Sequence, residues 1–260
     1  MARFGLRLLF DQEGLLFQPR RELRATPADA GLAFEDVSLP GGLRGWWIPG
    51  EATAPDTPAV LFLPGAIGNL GSELPTLQFL RSLGAGVLAV DYPGYGRSEG
   101  HPSLEGCRQT AEEGWRFLTG QRVVVYGRSF GCFLAARLVA DPAASRPAAG
   151  LVFHNGFSSV ADMAARVFHP ALVRLLCRVR LSSLEDLARC RCPALFLHAE
   201  RDEVVHPKLG RRAWKAATGP RRFLEVPGGH FDTGWLHDPR VRAAFRELLS
   251  GEAMGWETAA

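Results

Sequence analysis

Val123-Val124-Val125-Tyr126-Gly127-Arg128-Ser129-Phe130-Gly131 joins a strand, a glycine-framed serine and the start of a helix. Four β-prone residues lead into Gly-x-Ser-x-Gly, and Cys132-Phe133-Leu134-Ala135-Ala136-Arg137-Leu138 reads on as a helix. A serine on so tight a strand-to-helix turn takes a strained backbone conformation. Gly127 and Gly131 remove the side chains that would clash there. The hydroxyl then stands above the sheet, and the positive end of the helix lies where negative charge would develop. Chance alone produces the pentapeptide with a probability of roughly 0.1 to 0.2 in a chain of this size. The pattern by itself therefore decides little; the strand before it and the helix after it favour a catalytic serine over an ordinary tight turn.

Outward from this stretch, short apolar strands alternate with amphipathic helices. Strands are expected at Ala59 to Leu63, Val87 to Val90, Gly150 to Phe153, Pro193 to His198 and Arg222 to Val226. Helices are expected around Ser72 to Leu83, Ser103 to Leu118, Leu209 to Ala217 and Val241 to Leu249. This alternation means a mostly parallel sheet with helices on both faces. Val37-Ser38-Leu39 and Leu43 to Ile48, flanking Pro40-Gly41-Gly42, add an antiparallel hairpin at the N-terminal side. No internal repeat interrupts the pattern, and 260 residues suit a single α/β domain.

Composition narrows the function. The charged fraction of 22% and hydrophobic fraction of 47% are those of a soluble globular protein. A net charge of +3 without a long basic run does not point to nucleic acid. The cysteines, Cys107, Cys132, Cys177, Cys190 and Cys192, are odd in number, and no signal peptide is visible, so reduced thiols and a cytoplasmic location are expected. Cys190-Arg191-Cys192 is shorter than the Cys-x-x-Cys of zinc sites and no partner pair completes it, so neither a metal nor a cofactor is expected. Residues 1–17 carry Phe4, Leu6, Leu8, Leu9, Phe10, Leu15, Leu16 and Phe17, interrupted by Arg3, Arg7, Asp11 and Glu13. This falls short of the roughly 20 apolar residues of a membrane span. The expectation is an arm packed on the domain, with weak contact to a membrane surface as the alternative.

In sheets of this kind, chemistry gathers in the loops after the carboxyl ends of the strands. A serine hydroxyl needs a base to take its proton and an acid to orient that base. His230, in Pro227-Gly228-Gly229-His230, follows the last strand and is the candidate base. His154 is too early in the chain for the order Ser…Asp…His, and His198 at a strand end suits a buried structural role. Asp202 fits the order; Glu200, Glu203 and Asp232 compete with it. Asp202 is favoured because Val204-Val205 would pin the loop behind it. The oxyanion donors would be the N–H groups of Phe130 and of Ala66, in the loop after Ala59 to Leu63.

These stretches resemble the α/β-hydrolase superfamily along nearly the full chain. They are similar to the bacterial relatives of the eukaryotic α/β-hydrolase-domain serine hydrolases, some of which remove acyl groups from proteins. The resemblance rests on Phe62 to Asn69, Asp91 to Gly100, Tyr126 to Gly131, His198 to Val205 and Gly228-Gly229-His230. It implies an α/β-hydrolase fold with a Ser129–Asp202–His230 triad, and says little about substrate. The family usually carries His where this chain has Pro64, a residue that fixes the backbone and removes a donor. Asp91 and Arg97 are expected to organise their loop rather than to act in chemistry.

Residues 157–189 are the expected cap, with Phe157, Met163 and Phe168, and Trp235 beyond it, as candidate substrate-binding residues. Arg166, Arg174, Arg178 and Arg180 make the cap basic, which disfavours an aminopeptidase. The expected activity is cleavage of small carboxylic esters or thioesters through an acyl-enzyme. The alternatives are an amidase or peptidase using the same residues, and a non-catalytic binding module on the same scaffold. A dehalogenase is disfavoured, since that chemistry needs an aspartate where Ser129 stands.

Overall fold

A computed structural model describes residues 14, 16–51, 58–141, 146–166, 169, 172, 173, 179 and 181–258. In chain order the strands are β1 (Gln18–Pro19), β2 (Glu35–Leu39), β3 (Leu43–Ile48), β4 (Ala59–Leu63), β5 (Ile67–Gly68), β6 (Val87–Val90), β7 (Val123–Arg128), β8 (Gly150–His154), β9 (Ala194–Ala199) and β10 (Arg221–Val226). The helices are α1 (Leu74–Arg81), α2 (Leu104–Phe117), α3 (Gly131–Ala140), α4 (Val160–Ala164), α5 (Leu184–Arg189), α6 (Pro207–Ala216) and α7 (Pro239–Ser250).

Eight strands form one sheet in the order β10-β9-β8-β7-β4-β6-β3-β2. From β10 to β6 every pairing is parallel; β3 joins β6, and β2 joins β3, antiparallel. The expected hairpin is present, with Leu39 opposite Leu43. A short parallel pair, β1 with β5, lies apart from this sheet.

The central strands β4 and β6 are apolar throughout because both sheet faces are covered there, whereas the edge strands β2 and β10 carry charged residues. Along β4, Leu61 and Leu63 enter one buried cluster and Val60 and Phe62 the other, as the two-residue period of a strand requires. The first cluster packs under α2, α3, α5 and α6, the second under α1 and α7. Burying each such Val, Leu or Phe contributes about 1.5–3 kcal/mol. Helix α2 shows the matching helical logic: Ser103 caps its start through the Gly106 N–H, and Cys107, Ala111 and Trp115 recur every fourth residue on the buried stripe.

Topology places the site. β4 continues to β6 on one side, while its neighbour β7 continues to β8 on the other. Leu63 and Gly127 are paired at the ends of these strands. The two loops diverge there and leave a crevice above the strand ends, where ligands of open α/β sheets bind.

The excursion over this crevice is shorter than the expected cap of 157–189. Its base is closed where Ser159 bridges Ser182, where the Ser183 N–H donates to Ser158 O at 3.0 Å and where the Ser183 hydroxyl donates to Phe157 O at 2.9 Å. Beyond that neck, α5 lies between α3 and α6 and buries Leu187 in the main core, so 184–189 belongs to the helical layer and not to a cap. No helix among the described residues is long and apolar enough to cross a membrane.

Candidate active site

Ser129 sits at φ 52°, a left-handed backbone conformation that a non-glycine residue adopts only when its surroundings impose it. Its neighbours show why glycine flanks it. A Cβ on Gly127 would lie 2.5 Å from Cys132 Cα, and one on Gly131 would lie 2.1 Å from Leu63 O. The elbow therefore packs backbone directly on backbone. The Ser129 N–H donates to His154 O at 2.8 Å, tying the turn to the next strand.

His230 Nε2 lies 3.1 Å from Ser129 Oγ, and His230 Nδ1 lies 2.7 Å from Asp202 Oδ2. The structure thus brings together all three residues singled out from the sequence. Asp202 is held differently from expectation. The backbone N–H groups of Val204 and Val205 donate to its Oδ1 at 2.9 and 2.6 Å, while Val205 is buried and Val204 is exposed. The competing carboxylates have other tasks: Glu203 accepts the His230 N–H at 3.1 Å, and Asp232 accepts that of Gly229 at 2.8 Å.

Around this trio lies a buried polar frame that sequence reasoning missed. The His230 carbonyl accepts from Arg128 Nη2 at 3.2 Å and from Asn155 Nδ2 at 3.1 Å. Asn155, itself at φ 49°, also accepts the Ala199 N–H at 2.9 Å, so it joins β8, β9 and the His230 loop. Arg128 forms a buried ion pair with Glu73. Burial opposes the Arg128 charge, but the Glu73 carboxylate, together with Tyr126 and Asp202, outweighs it and holds the guanidinium above its ordinary range. His198 Nε2 bonds Val205 O at 2.8 Å and lies 3.5 Å from Asp202 Oδ2; burial keeps this histidine below its ordinary pKa. His154 pairs with Tyr126 OH at 2.6 Å beneath the site, where burial holds it neutral. The sequence signal for part of this frame is the position of Arg128, His154 and Asn155 at strand ends; Glu73, before α1, carries none.

The loop after β4 is held by two phenols. Tyr92 OH donates to Pro64 O at 2.8 Å and Tyr95 OH to Ala66 O at 2.7 Å, and burial raises both phenol pKa values so that both stay donors. Gln18 N–H adds a bond to Ala66 O at 2.8 Å. These bonds hold the carbonyl groups of Pro64 and Ala66 in place. Among the described residues, no acceptor takes the N–H of Ala66 or of Phe130. Asp91 accepts the Leu70 N–H at 3.0 Å, and its carbonyl accepts from Ser98 Oγ at 2.7 Å, so it does organise its loop. Arg97 instead pairs with Asp36 of β2 at 3.6 Å on the surface.

A cavity of about 290 Å³ opens over Ser129 and His230. Gly65, Ala66 and Phe130 line it, as do Phe157 and Met163 from the expected substrate-binding set. Phe168 lies outside the described residues. Trp235 does not reach the cavity: it is 2% exposed and packs edge-on against Phe79 and His154 on the opposite side of the His230 loop, in the core under α1 and α7. Its nearness to His230 in sequence was misleading, because the short helical turn 234–237 carries it back into that core. Val160, Val204 and Phe231 complete an apolar wall, and Glu73 and Arg128 a polar one. Among the described residues no three His, Cys, Asp or Glu side chains are grouped to hold a metal. The Cys190 and Cys192 sulfurs are 3.5 Å apart, a pair of thiols without further ligands of that kind.

The alpha/beta hydrolase fold family matches residues 58–174. An uncharacterised protein of Mycobacterium tuberculosis is 33% identical over 84% of this chain and 79% of its own length. The alpha/beta hydrolase domain-containing protein WAV2 of Arabidopsis thaliana is 30% identical over 88% of this chain and 84% of its own. Among solved structures, an esterase of Pyrococcus furiosus superposes with a TM-score of 0.73, at 19% identity, covering 90% of this chain and 97% of that one.

Proposed function

Because this chain belongs to the α/β-hydrolase family, we propose that it is a serine hydrolase cleaving carboxylic esters or thioesters through an acyl-enzyme intermediate. The observation that carries this reading is the continuous chain of contacts from Asp202 Oδ2 through both nitrogens of His230 to Ser129 Oγ, at 2.7 and 3.1 Å.

In this reading His230 Nε2 removes the hydroxyl proton as Ser129 Oγ attacks the acyl carbon. Asp202 accepts from His230 Nδ1–H, which fixes the tautomer that leaves Nε2 free as the base and favours the imidazolium once formed. The N–H groups of Ala66 and Phe130 receive the oxyanion, at the start of α3, where the helix dipole also favours negative charge. His230 then returns its proton to the leaving alcohol or thiol. A water, deprotonated by the same nitrogen, releases the acid and restores Ser129. The apolar wall of Phe157, Val160, Met163 and Phe231 suits the acyl group.

The test is active-site labelling with a fluorophosphonate, followed by peptide mapping, on wild type and His230→Ala. An adduct at Ser129 that is lost in the variant is expected. A folded wild type that takes no label would overturn the reading. Matched ester, thioester and amide substrates then rank the leaving groups, and a preference for the amide would replace the esterase with an amidase.

A further inference from the structure

Glu73 stands immediately before α1, in the position whose side chain usually caps a helix, yet its carboxylate caps no N–H there. It turns instead into the cavity that holds Ser129 and His230. The residue is 5% exposed. Oε2 is taken by Arg128. Among the described residues nothing donates to Oε1, although an ionised carboxylate has room for about four donors. Arg128 donates from Nη1 to Glu73 and from Nη2 to His230 O, and its charge is already balanced by the Glu73 carboxylate, so the pair does not call for a ligand's anion.

Glu73 Oε1 is a charged acceptor with spare capacity that faces the space where substrate reacts, so a substrate donor that displaces water there gains a charge-assisted hydrogen bond. Gln18 also lines this cavity, but it bonds there through its backbone N–H, to the Ala66 carbonyl. The charge of the Glu73–Arg128 pair sums to zero, so the subsite does not call for a cation. It calls for a neutral donor.

We infer that Glu73 Oε1 is a specificity-determining acceptor for a hydroxyl group carried by the substrate close to its reacting ester, opposite the apolar wall that takes the acyl chain. The preferred substrate is then an ester whose alcohol portion bears a free hydroxyl, and the hydroxyl meets Glu73 while the ester carbonyl meets Ser129. This inference rests on the serine-hydrolase reading above.

The experiment compares kcat/KM for 2-hydroxyethyl hexanoate, propyl hexanoate and 2-methoxyethyl hexanoate. The propyl ester replaces the hydroxyl by a methyl group of similar size, and the methoxy ester keeps the oxygen but has no donor. Wild type should favour the hydroxyethyl ester by about tenfold to a hundredfold over both, as expected for a bond to a charged acceptor. In Glu73→Gln, and in the double variant Glu73→Met/Arg128→Met, that ratio should fall towards one, whatever happens to the absolute rate. Fluorophosphonate labelling of Ser129 in each variant shows that it is folded, and the double variant guards against a loss caused only by stranding Arg128. A wild-type ratio near one, or a preference that survives in both labelled variants, overturns the subsite and leaves the hydrolase reading in place. Failure of labelled wild type to turn over any of the three esters overturns the esterase reading itself, and this inference with it.

Discussion

The two walls of the Ser129 cavity are built by opposite physics. On one side, Arg128, Glu73 and His230 line the cavity, with Asn155 and Asp202 buried behind them, and all five are linked by directional hydrogen bonds. On the other, Phe157, Val160, Met163, Val204 and Phe231 offer apolar surface without directional contacts. A buried polar group has few acceptable geometries, and losing one partner strands the other. Apolar contact is non-directional and is felt mainly as area and volume. The polar wall should therefore answer single substitutions with large losses, and the apolar wall with graded changes in substrate preference.

The sharpest way to break this contrast is to disturb the polar wall without changing its shape. Asp202→Asn keeps the side chain's size but favours the wrong His230 tautomer, and kcat should fall by roughly 10⁴-fold with KM little changed. Steady-state kinetics on one short ester check this. A fall of only a few-fold would mean that His230 is oriented by its backbone frame alone.

Arg128→Met removes a charge from the buried pair and one of the two side-chain donors to the His230 carbonyl. It should cost about 3–5 kcal/mol of stability, because Glu73 is left buried and uncompensated. Replacing both partners by Met should recover much of that loss. Urea titrations of the single and double variants measure the difference.

Asp91 supports the same wall through Leu70, three residues before Glu73. Burial pushes its carboxyl from 3.8 up to about 7, with the Leu70 N–H acting in the opposite sense and the nearby Glu73 charge adding to the rise. A folded pKa above the unfolded one means that the folded state holds the proton more tightly. The stabilising contribution is therefore complete below about pH 4 and is lost as pH rises towards about 7. Asp91→Asn removes this dependence, so the variant should gain on wild type by a few kcal/mol, as an order of magnitude, between those limits. Urea midpoints at pH 4.5 and 7.5 test the sign; a variant that loses ground over that range refutes it.

The smallest effect belongs to the apolar wall. Phe231 is 54% exposed, so Phe231→Ala should change stability by less than about 0.5 kcal/mol. It should lower kcat/KM for a long acyl ester by about tenfold or less, and leave a short one nearly unaffected. An equal loss on both esters would show that Phe231 also positions His230, whose ring it meets edge-on at 4.9 Å.

What could be read before folding follows the same division. Glycines around Ser129, a histidine after the last strand and an aspartate between them are local signals, each tied to a strand end. The six parallel strands of the main sheet agree with expectation to within one or two residues, most clearly where two-sided burial leaves apolar runs as in β4 and β6, while the short β5 carried no such signal. Trp235 and 184–189 were misjudged for one reason. An apolar residue looks alike in sequence whether it faces a ligand or the core. Glu73 and Arg128 are 55 positions apart, and Arg128 and His230 are 102 apart. No local pattern announces such pairs.

Local residue patterns are enough to dictate a mostly parallel, two-sided sheet with a serine on a strained turn at its carboxyl edge, since strand period, glycine sterics and helix amphipathicity act over a few residues. Which charged groups meet around that serine, how far the cap extends and where Glu73 Oε1 points emerge only once the chain is folded. Those depend on strand order and on crossovers that bring distant segments to one crevice, and the cost of burying each polar group then selects its partner.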